Sequence, residues 1–389
     1  MKTEVAIIGG GPSGLLLSQL LNRQGVATVI LERASRPHVL SRIRAGLLED
    51  GTVQVLQEAG VADRLARQAL PHKGCCLAYE DLMLRIDFHA LTGKRMTIYG
   101  QSELTADLYR AQDAMGTPIV HEVCDVAIHQ VSGPRPYVEY TQGGARHRLD
   151  CGFVAGCDGF HGVSRPTIPA GQRREFTRSY PFGWLGVLSE TPPAGPELIY
   201  ANMGQGFALA SMRAETLSRY YIQVPRGDTA QQWSDARFWD RLQSSLPPKV
   251  ARALSTGPSI EKSVAPLRSF VSTPMRWGHL CLAGDSAHIV PPTGAKGLNL
   301  AVSDVFYLHQ ALVEALKTGS NTGLECYDQR ALARIWKAMR FSWQMTEMLH
   351  CFADEDSFAP PMRRSALLHL LDSETARRDF AENYIGLPL

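Results

Sequence analysis

The chain has 389 residues, 44% of them hydrophobic and 20% charged, and its 40 Lys and Arg against 38 Asp and Glu leave a formal net charge of +2. These proportions argue against intrinsic disorder and against a nucleic-acid partner held by bulk charge, and the length suits two or three structural units around sizeable cores. A small-molecule partner is expected. The opening residues 1–8 are too short for a secretory apolar region, and no stretch approaches about 18 uninterrupted apolar residues, so a soluble cytoplasmic protein with no membrane partner is expected. Eight cysteines without a CxxC pair and twelve histidines without an HExxH point to reduced thiols and no metal.

In chain order, residues 4–8 read as a strand, 9–14 as a glycine turn, 15–21 as a Leu-rich buried helix and 28–31 as a second strand ending at Glu32, together one βαβ unit. Ser132, Gly133 and Pro134 mark a loop, as do Thr191, Pro192 and Pro193. Residues 153–155 and 279–283 each read as a strand delivering an acid at its C-terminal end, Asp158 and Asp285, where open α/β sheets bind ligands. Between them the pattern alternates. Phe207, Leu209, Ser211 and Arg213 share one face, Arg219, Tyr221 and Gln223 another, as in an antiparallel sheet. With residues 214–218 as connection, Tyr221 falls opposite Ser211, and three donors could converge on one carboxylate. From about Ser303 the chain is helical, with Leu298, Ala301, Val302 and Val305 on one face, and Ala359, Pro360 and Pro361 read as a loop.

Gly9, Gly11 and Gly14, with Ser13 between them, form G-x-G-x-x-G between a strand and a helix, where backbone N–H groups and the helix N-terminus receive a pyrophosphate. Glu32 lies where an acid at the end of the second strand binds a ribose diol. The spacing alone does not separate NAD from FAD.

Distant segments decide. Arg42-Ile43-Arg44-Ala45-Gly46, Cys157-Asp158-Gly159 and Gly284-Asp285-Ser286-Ala287-His288 together resemble the flavin-dependent aromatic monooxygenases. The run from Tyr180 to Gly186, the run from Pro291 to Leu300 and the C-terminal run from Glu382 to Pro388 are similar to members acting on 4-hydroxybenzoate. The resemblance implies an α/β chain (α+β overall) with a Rossmann-like FAD-binding domain in residues 1–72, 98–179 and 268–320. It further implies an antiparallel-sheet substrate domain in 73–97 and 180–267, a helical C-terminal segment in 321–389 and a homodimer. The implied activity is hydroxylation of 4-hydroxybenzoate to 3,4-dihydroxybenzoate with FAD, NAD(P)H and O₂, through a flavin C4a-hydroperoxide.

By the same resemblance Asp285 bonds the flavin's ribityl chain, Asp158 and Gln101 contact the cofactor, and Arg44 neutralises its pyrophosphate. A helix starting near Gly297 and Leu298 would place its positive end, with Lys296, under the flavin's pyrimidine edge, while Asn299 bonds the ring or holds the loop. Ser211, Arg213 and Tyr221 would seat the substrate's carboxylate. Tyr200 and Tyr384 match positions that relay the phenol's proton, with His72 as a solvent-side acceptor of near-neutral pKa, and Pro292 lies beside the substrate and the moving flavin. With one glycine fingerprint in the chain, the nicotinamide must dock on a surface, for which Arg33, Arg36, His38, Arg42 and Arg44, then His161 and Arg268, are the candidates. Ala34 and His38 depart from the Gln and Tyr common in NADPH-preferring relatives; NADH stays open, and the arginines favour NADPH. Two rivals remain at this point: a sister hydroxylase acting on 4-aminobenzoate or 3-hydroxybenzoate, and a flavin-binding reductase without oxygenase chemistry.

Overall fold

The computed structural model describes residues 1–42 and 46–389, so Arg44 lies outside the described residues. Val5–Ile8 is buried along its length and pairs in parallel with Thr28–Glu32 on one side and Phe153–Gly156 on the other. The sheet continues to Ile119–His121 beyond Thr28–Glu32, and to Leu280–Leu282 beyond Phe153–Gly156. The four expected strands thus lie side by side, their C-terminal ends aligned. Near-continuous apolar runs suit strands covered on both faces. Helix Pro12–Arg23 covers one face, burying Leu15, Leu16, Leu17, Leu20 and Leu21.

The turn between first strand and first helix depends on glycine for two separate reasons. Gly9 has φ +106°, which L side chains rarely adopt, and a Cβ on Gly14 would run into the Gly9 carbonyl oxygen.

A second sheet orders its strands as His288–Ile289, Ser259–Thr273, Arg174–Ser189, Leu217–Pro225, Phe207–Ala214, Leu198–Asn202, Gly74–Tyr79 and Leu82–Asp87. It is antiparallel except where Leu198–Asn202 pairs in parallel with Gly74–Tyr79. Its long strands Arg174–Ser189 and Ser259–Thr273 run through the expected boundaries at 179/180 and 267/268, with a break in register between Ser179 and Gly183. The hairpin differs from its expected register: Leu209, not Ser211, lies opposite Tyr221, and Ser211 pairs with Arg219. The strands extend to Ala214 and from Leu217, so the turn is shorter than expected, and a bulge falls between Met212 and Ala214. Such an extra residue re-aims a side chain, here that of Arg213.

Helices Gly297–Thr318, Thr322–Leu349, Ala359–Asp372 and Glu374–Ile385 complete the chain. The first starts at Gly297, where the resemblance expects a helix start and six residues before the stretch that composition alone reads as helical. Ala359, Pro360 and Pro361 open a helix instead of forming a loop, because the first turn needs no N–H from proline. Phe341, Met345, Leu349, Phe380 and Tyr384 from these helices pack onto Trp184, Tyr200, Phe207 and Leu209 of the second sheet. On the sheet's other face, Phe238, Trp239 and Leu242 of Asp235–Ser244 form a separate core. No helix among the described residues is long and apolar enough to cross a membrane.

Of the three imidazoles buried among the described residues, His288 pairs with Asp304 at 2.6 Å, and the other two are His72 at 1% exposure and His350 at 0%. Burial drives their pKa down from 6.5 to about 4 and about 3 respectively. The unfolded chain therefore takes up protons near pH 6.5 that the fold refuses, so stability present above that pH is lost as pH falls towards 4 and 3. Replacing His72 by Gln should shrink the stability lost between pH 6.5 and 4, read as the difference in urea midpoint against the parent; an equal loss would place His72 in water. Gly14→Ala should lower the thermal midpoint by several degrees, consistent with about 1–3 kcal/mol of strain. Gly11→Ala, where no described atom lies within 4 Å of the added Cβ, should leave the midpoint within about a degree.

Candidate active site

The open space at Gly11 is the first mark of a ligand. A cradle that a Cβ would fill lies at the start of helix Pro12–Arg23, whose N-cap Gly11 makes no side-chain cap and whose first turn holds no acid. The free N–H groups there, with about half a positive charge, suit a pyrophosphate. Ser13 is half-buried in that turn, and its Oγ would lie 3.0 Å from a Cβ on Gly284, which draws the Gly284–Ser286 turn against the cradle. Glu32 Oε2 accepts from Gly10 N at 2.6 Å and Oε1 from Ala34 N at 2.8 Å. A carboxylate has about four acceptor sites, so two remain for sugar hydroxyls. Asp285 is exposed at the end of Leu280–Leu282, suitably placed for a polyol, and Gln101 is half-buried at the start of Gln101–Met115. The residues present fit FAD.

Asp158 keeps one carboxylate oxygen, Oδ1, buried without a hydrogen-bond partner among the described residues, which leaves it free for the expected cofactor contact. Its Oδ2 accepts from Ser164 N and Ser164 Oγ, both at 2.9 Å, so it braces the turn after Phe153–Gly156. Burial raises its pKa, against those bonds.

Helix Gly297–Thr318 presents half-buried Gly297 and Leu298 at its uncapped N-terminus. Lys296 is neither a surface lysine nor an unscreened source of field. It is 2% exposed and its Nζ donates to Glu49 Oε1 and to the Tyr384 carbonyl, each at 2.7 Å. Arg334 meets the other oxygen of Glu49 at 2.9 Å, making a buried group of two cations on one carboxylate. Burial lowers the Lys296 pKa and Glu49 opposes that shift. Asn299 takes the second of its two expected roles, holding the loop. Its Oδ1 accepts from Glu49 N and Thr52 Oγ1, and its Nδ2 donates to the Leu47 and Ala295 carbonyls. All four of its bonding positions are filled, leaving no donor for a ring.

Arg213 is half-buried as a residue, but its Nε is sealed from solvent and has no hydrogen-bond partner among the described residues. Burial depresses its pKa, with the hydrogen-bonding Tyr221 acting in the other direction and Arg219 adding to the depression. A guanidinium so enclosed is costly by several kcal/mol on the order-of-magnitude scale unless an anion joins it, and its planar fork suits a carboxylate. Ser211 is 7% exposed, and its hydroxyl donates to the Arg219 carbonyl at 2.8 Å, so its proton is committed elsewhere. Arg219 is itself buried, ion-paired with Glu261, and stands over the Tyr221 ring at 5.1 Å.

Tyr200 and Tyr384 meet hydroxyl to hydroxyl at 2.6 Å, each 1% exposed, one from the sheet and one from helix Glu374–Ile385. Burial pushes both phenols above their usual pKa. His72 stands apart from its expected place as a near-neutral imidazole at the solvent side. It is buried, its Nε2 lies 2.9 Å from Met212 Sδ, its Nδ1 has no partner, and no hydrogen bond joins it to either tyrosine among the described residues. Pro292 is exposed in the turn Pro292–Gly294, just before Ala295 with its φ of +53°.

Of the basic candidates, Arg33, His38 and Arg42 are exposed. Arg36 is not free: it grips Asp113 through both guanidinium nitrogens at 3.0 and 2.6 Å and lies over Tyr109, which withdraws it from the expected cluster. His161 is exposed beside Phe160, and Arg268 stacks on that same Phe160 ring at 4.6 Å, so the fold brings these two together from 107 positions apart. Sequence reasoning missed Glu49, Arg334, Trp184 and Arg219. Their partners lie far off in the chain, and no local spacing signals such pairs.

The FAD binding domain family matches residues 2–342. The p-hydroxybenzoate hydroxylase of Acinetobacter baylyi is 51% identical over 389 residues, covering 100% of this chain and 96% of the relative. A 3-(3-hydroxy-phenyl)propionate/3-hydroxycinnamic acid hydroxylase of a Mycobacterium species is 26% identical, over 78% of this chain and 52% of the relative. Among solved structures, the p-nitrophenol 4-monooxygenase of Pseudomonas putida superposes with a TM-score of 0.85 at 18% identity, over 100% of both chains, which speaks to the fold. The chain therefore belongs to the FAD binding domain family, as an FAD-dependent monooxygenase.

Proposed function

We propose that the enzyme converts 4-hydroxybenzoate to 3,4-dihydroxybenzoate, with O₂ as oxygen source and NADPH as hydride donor. The observation that carries this reading is the Arg213 guanidinium, enclosed with an unpartnered Nε beside Tyr221 and backed by the same core as the Tyr200–Tyr384 pair. Bound FAD would supply the redox chemistry by which two electrons from the nicotinamide reach O₂, one oxygen atom entering the ring and the other leaving as water. Gly9, Gly11, Ser13, Gly14 and the helix start behind them hold its pyrophosphate, Glu32 its ribose and Asp285 its polyol, with Gln101 nearby. Gly297 and Leu298 turn a helix N-terminus towards negative charge on it.

Arg213 takes the substrate carboxylate and Tyr221 adds a donor; Ser211 joins only by releasing the Arg219 carbonyl. A phenol with a pKa near 10 loses its proton at pH 7–8 at a cost of about 3–4 kcal/mol, and ionisation is what makes the ortho carbon nucleophilic. Tyr200 accepts that proton as it passes its own to Tyr384, and Tyr384 in turn releases its own to water. With both tyrosines held above their usual pKa, neither rests as a tyrosinate, so the three transfers occur together. His72 lies at the outer end of this route, reached through water, and its low pKa makes it a point of passage that does not retain the proton. Pro292 closes the pocket against water. Arg33, His38, Arg42, His161 and Arg268 receive the dinucleotide on the surface. Within this reading the enzyme is a cytoplasmic homodimer, supported by the family resemblance.

Nicotinamide oxidation with product analysis across 4-hydroxybenzoate, 4-aminobenzoate and 3-hydroxybenzoate tests the reading. Dihydroxybenzoate from the first alone is expected; substrate-stimulated oxidation that never yields hydroxylated product would instead mark a reductase. Arg213→Ala should raise KM for 4-hydroxybenzoate more than tenfold, about 1.4 kcal/mol or above, and a KM near the parent's would dismiss the clamp. Tyr200→Phe should leave flavin reduction largely competent while removing the phenolate absorbance of bound substrate; an unchanged spectrum would take Tyr200 out of the relay.

A further inference from the structure

Trp184, in strand Arg174–Ser189, donates its indole N–H to His350 Nε2 at 2.7 Å. That bond makes Nε2 the acceptor nitrogen, so the proton of the neutral ring is on Nδ1, which donates to the Thr346 carbonyl at 3.0 Å. The Thr346 hydroxyl gives its single proton to the Ser342 carbonyl at 2.7 Å and can therefore only accept from Thr293 Oγ1, 2.9 Å away. Thr293 is the middle residue of the turn Pro292–Gly294. Donor and acceptor are thus assigned at each bond from the substrate sheet to the turn beside the substrate site, and Thr293, Thr346 and His350 are all fully buried.

The surroundings hold this connection in place. The His350 ring stacks on Phe182 at 4.6 Å and on Phe207 at 4.5 Å, with interplanar angles of 6° and 12°. Asn202 Nδ2 donates to the Leu349 carbonyl at 3.1 Å, and Gln223 bonds both the N–H and the carbonyl of Cys351, so the end of helix Thr322–Leu349 is tied to the sheet on each side of His350. Gly294 comes so near the same helix that a Cβ there would lie 2.6 Å from Ser342 Oγ. Trp184 also packs against Tyr221 at 5.2 Å, and Phe207 against Tyr200 at 6.3 Å, which brings the connection up to both ends of the proposed substrate pocket.

We propose that His350 is a positioning residue for ring hydroxylation: it sets the Pro292–Gly294 turn against the substrate-binding sheet through bonds to Trp184 and Thr346 and onward to Thr293. This rests on the reading of the site as that of an aromatic-acid hydroxylase. Arg213 fixes the substrate's carboxylate end independently of His350, whereas the reacting edge lies against the turn. Loss of the connection should therefore disturb the fate of oxygen more than the binding of substrate, because small displacements at reacting atoms have large effects on rate.

The test compares His350→Gln, whose amide can accept from the indole and donate to the Thr346 carbonyl, with His350→Phe, which keeps the ring stack and makes neither bond. In the FAD-loaded enzyme, the Phe variant should lower hydroxylated product per nicotinamide oxidised at least fivefold with KM for 4-hydroxybenzoate changed less than threefold. The Gln variant should stay within twofold of the parent on both. The Trp184 indole N–H resonance should be protected from exchange in the parent and in the Gln variant, and unprotected in the Phe variant. Thr293→Val cuts the connection at its other end with a side chain of the same shape and should reproduce the loss of product, which keeps the test decisive if His350→Phe does not fold. Parental product yield in the Phe variant, or in Thr293→Val, overturns the proposal, as does a Gln variant as impaired as Phe, since that would make ring packing the whole role. A parent enzyme that makes no hydroxylated product overturns the functional reading and the proposal with it; a productive parent with variants off this pattern overturns the proposal alone.

Discussion

An arginine whose Nε is sealed from water, with no carboxylate paired to it among the described residues, is the constraint around which the second sheet is arranged. Arg213 sits where the hairpin breaks its alternation, and the extra residue of the bulge turns it away from the path that regular pairing would give. The ion pair between Arg219 and Glu261 occupies the neighbouring position, so one arginine of the strand pair has a carboxylate partner, while none is paired with the other among the described residues. Burial makes that difference matter: in water either arginine would be indifferent to its partner, and under the sheet each needs one.

The proposed substrate pocket lies where the C-terminal helices close on the sheet. Tyr384 reaches Tyr200 across that seam, and the carbonyl of the same Tyr384 accepts from Lys296, whose charge is answered by Glu49. The positive groups at the helix start are thus tied to the C-terminal segment and to the tyrosine pair at once. Arg334 extends the tie by donating to the carbonyls of Leu387 and Pro388. Movement of the last helix would therefore reach the Tyr200–Tyr384 bond and the start of helix Gly297–Thr318 together, since buried polar networks respond as units.

His72 and His350 illustrate how surroundings overrule intrinsic chemistry. A histidine in water changes charge near neutrality, which is what makes His72 read as a solvent-side acceptor. Enclosed next to Met212, its ring resists protonation until about pH 4. His350 goes further, with both nitrogens spoken for, and serves as a rigid neutral connector.

The nucleotide half of the molecule was legible in the sequence because its determinants are local: Gly9, Gly11 and Gly14 act through the backbone of one turn, and Glu32 bonds Gly10 from the end of the adjacent strand. Alternation likewise exposed the antiparallel strands and singled out Ser211, Arg213 and Tyr221. It could not reveal the bulge, since turn length and strand length trade off within the same residues, and so Tyr221 was set opposite the wrong partner. Whether Lys296 meets solvent or Glu49, whether Arg36 awaits a phosphate or already grips Asp113, and whether Asn299 bonds a ring or a loop depend on contacts between segments tens to hundreds of residues apart. Chain-local pattern carries backbone conformation and facing; the partner that neutralises a buried charge or fills a hydrogen bond is chosen only when distant elements pack together, and that choice belongs to the tertiary structure.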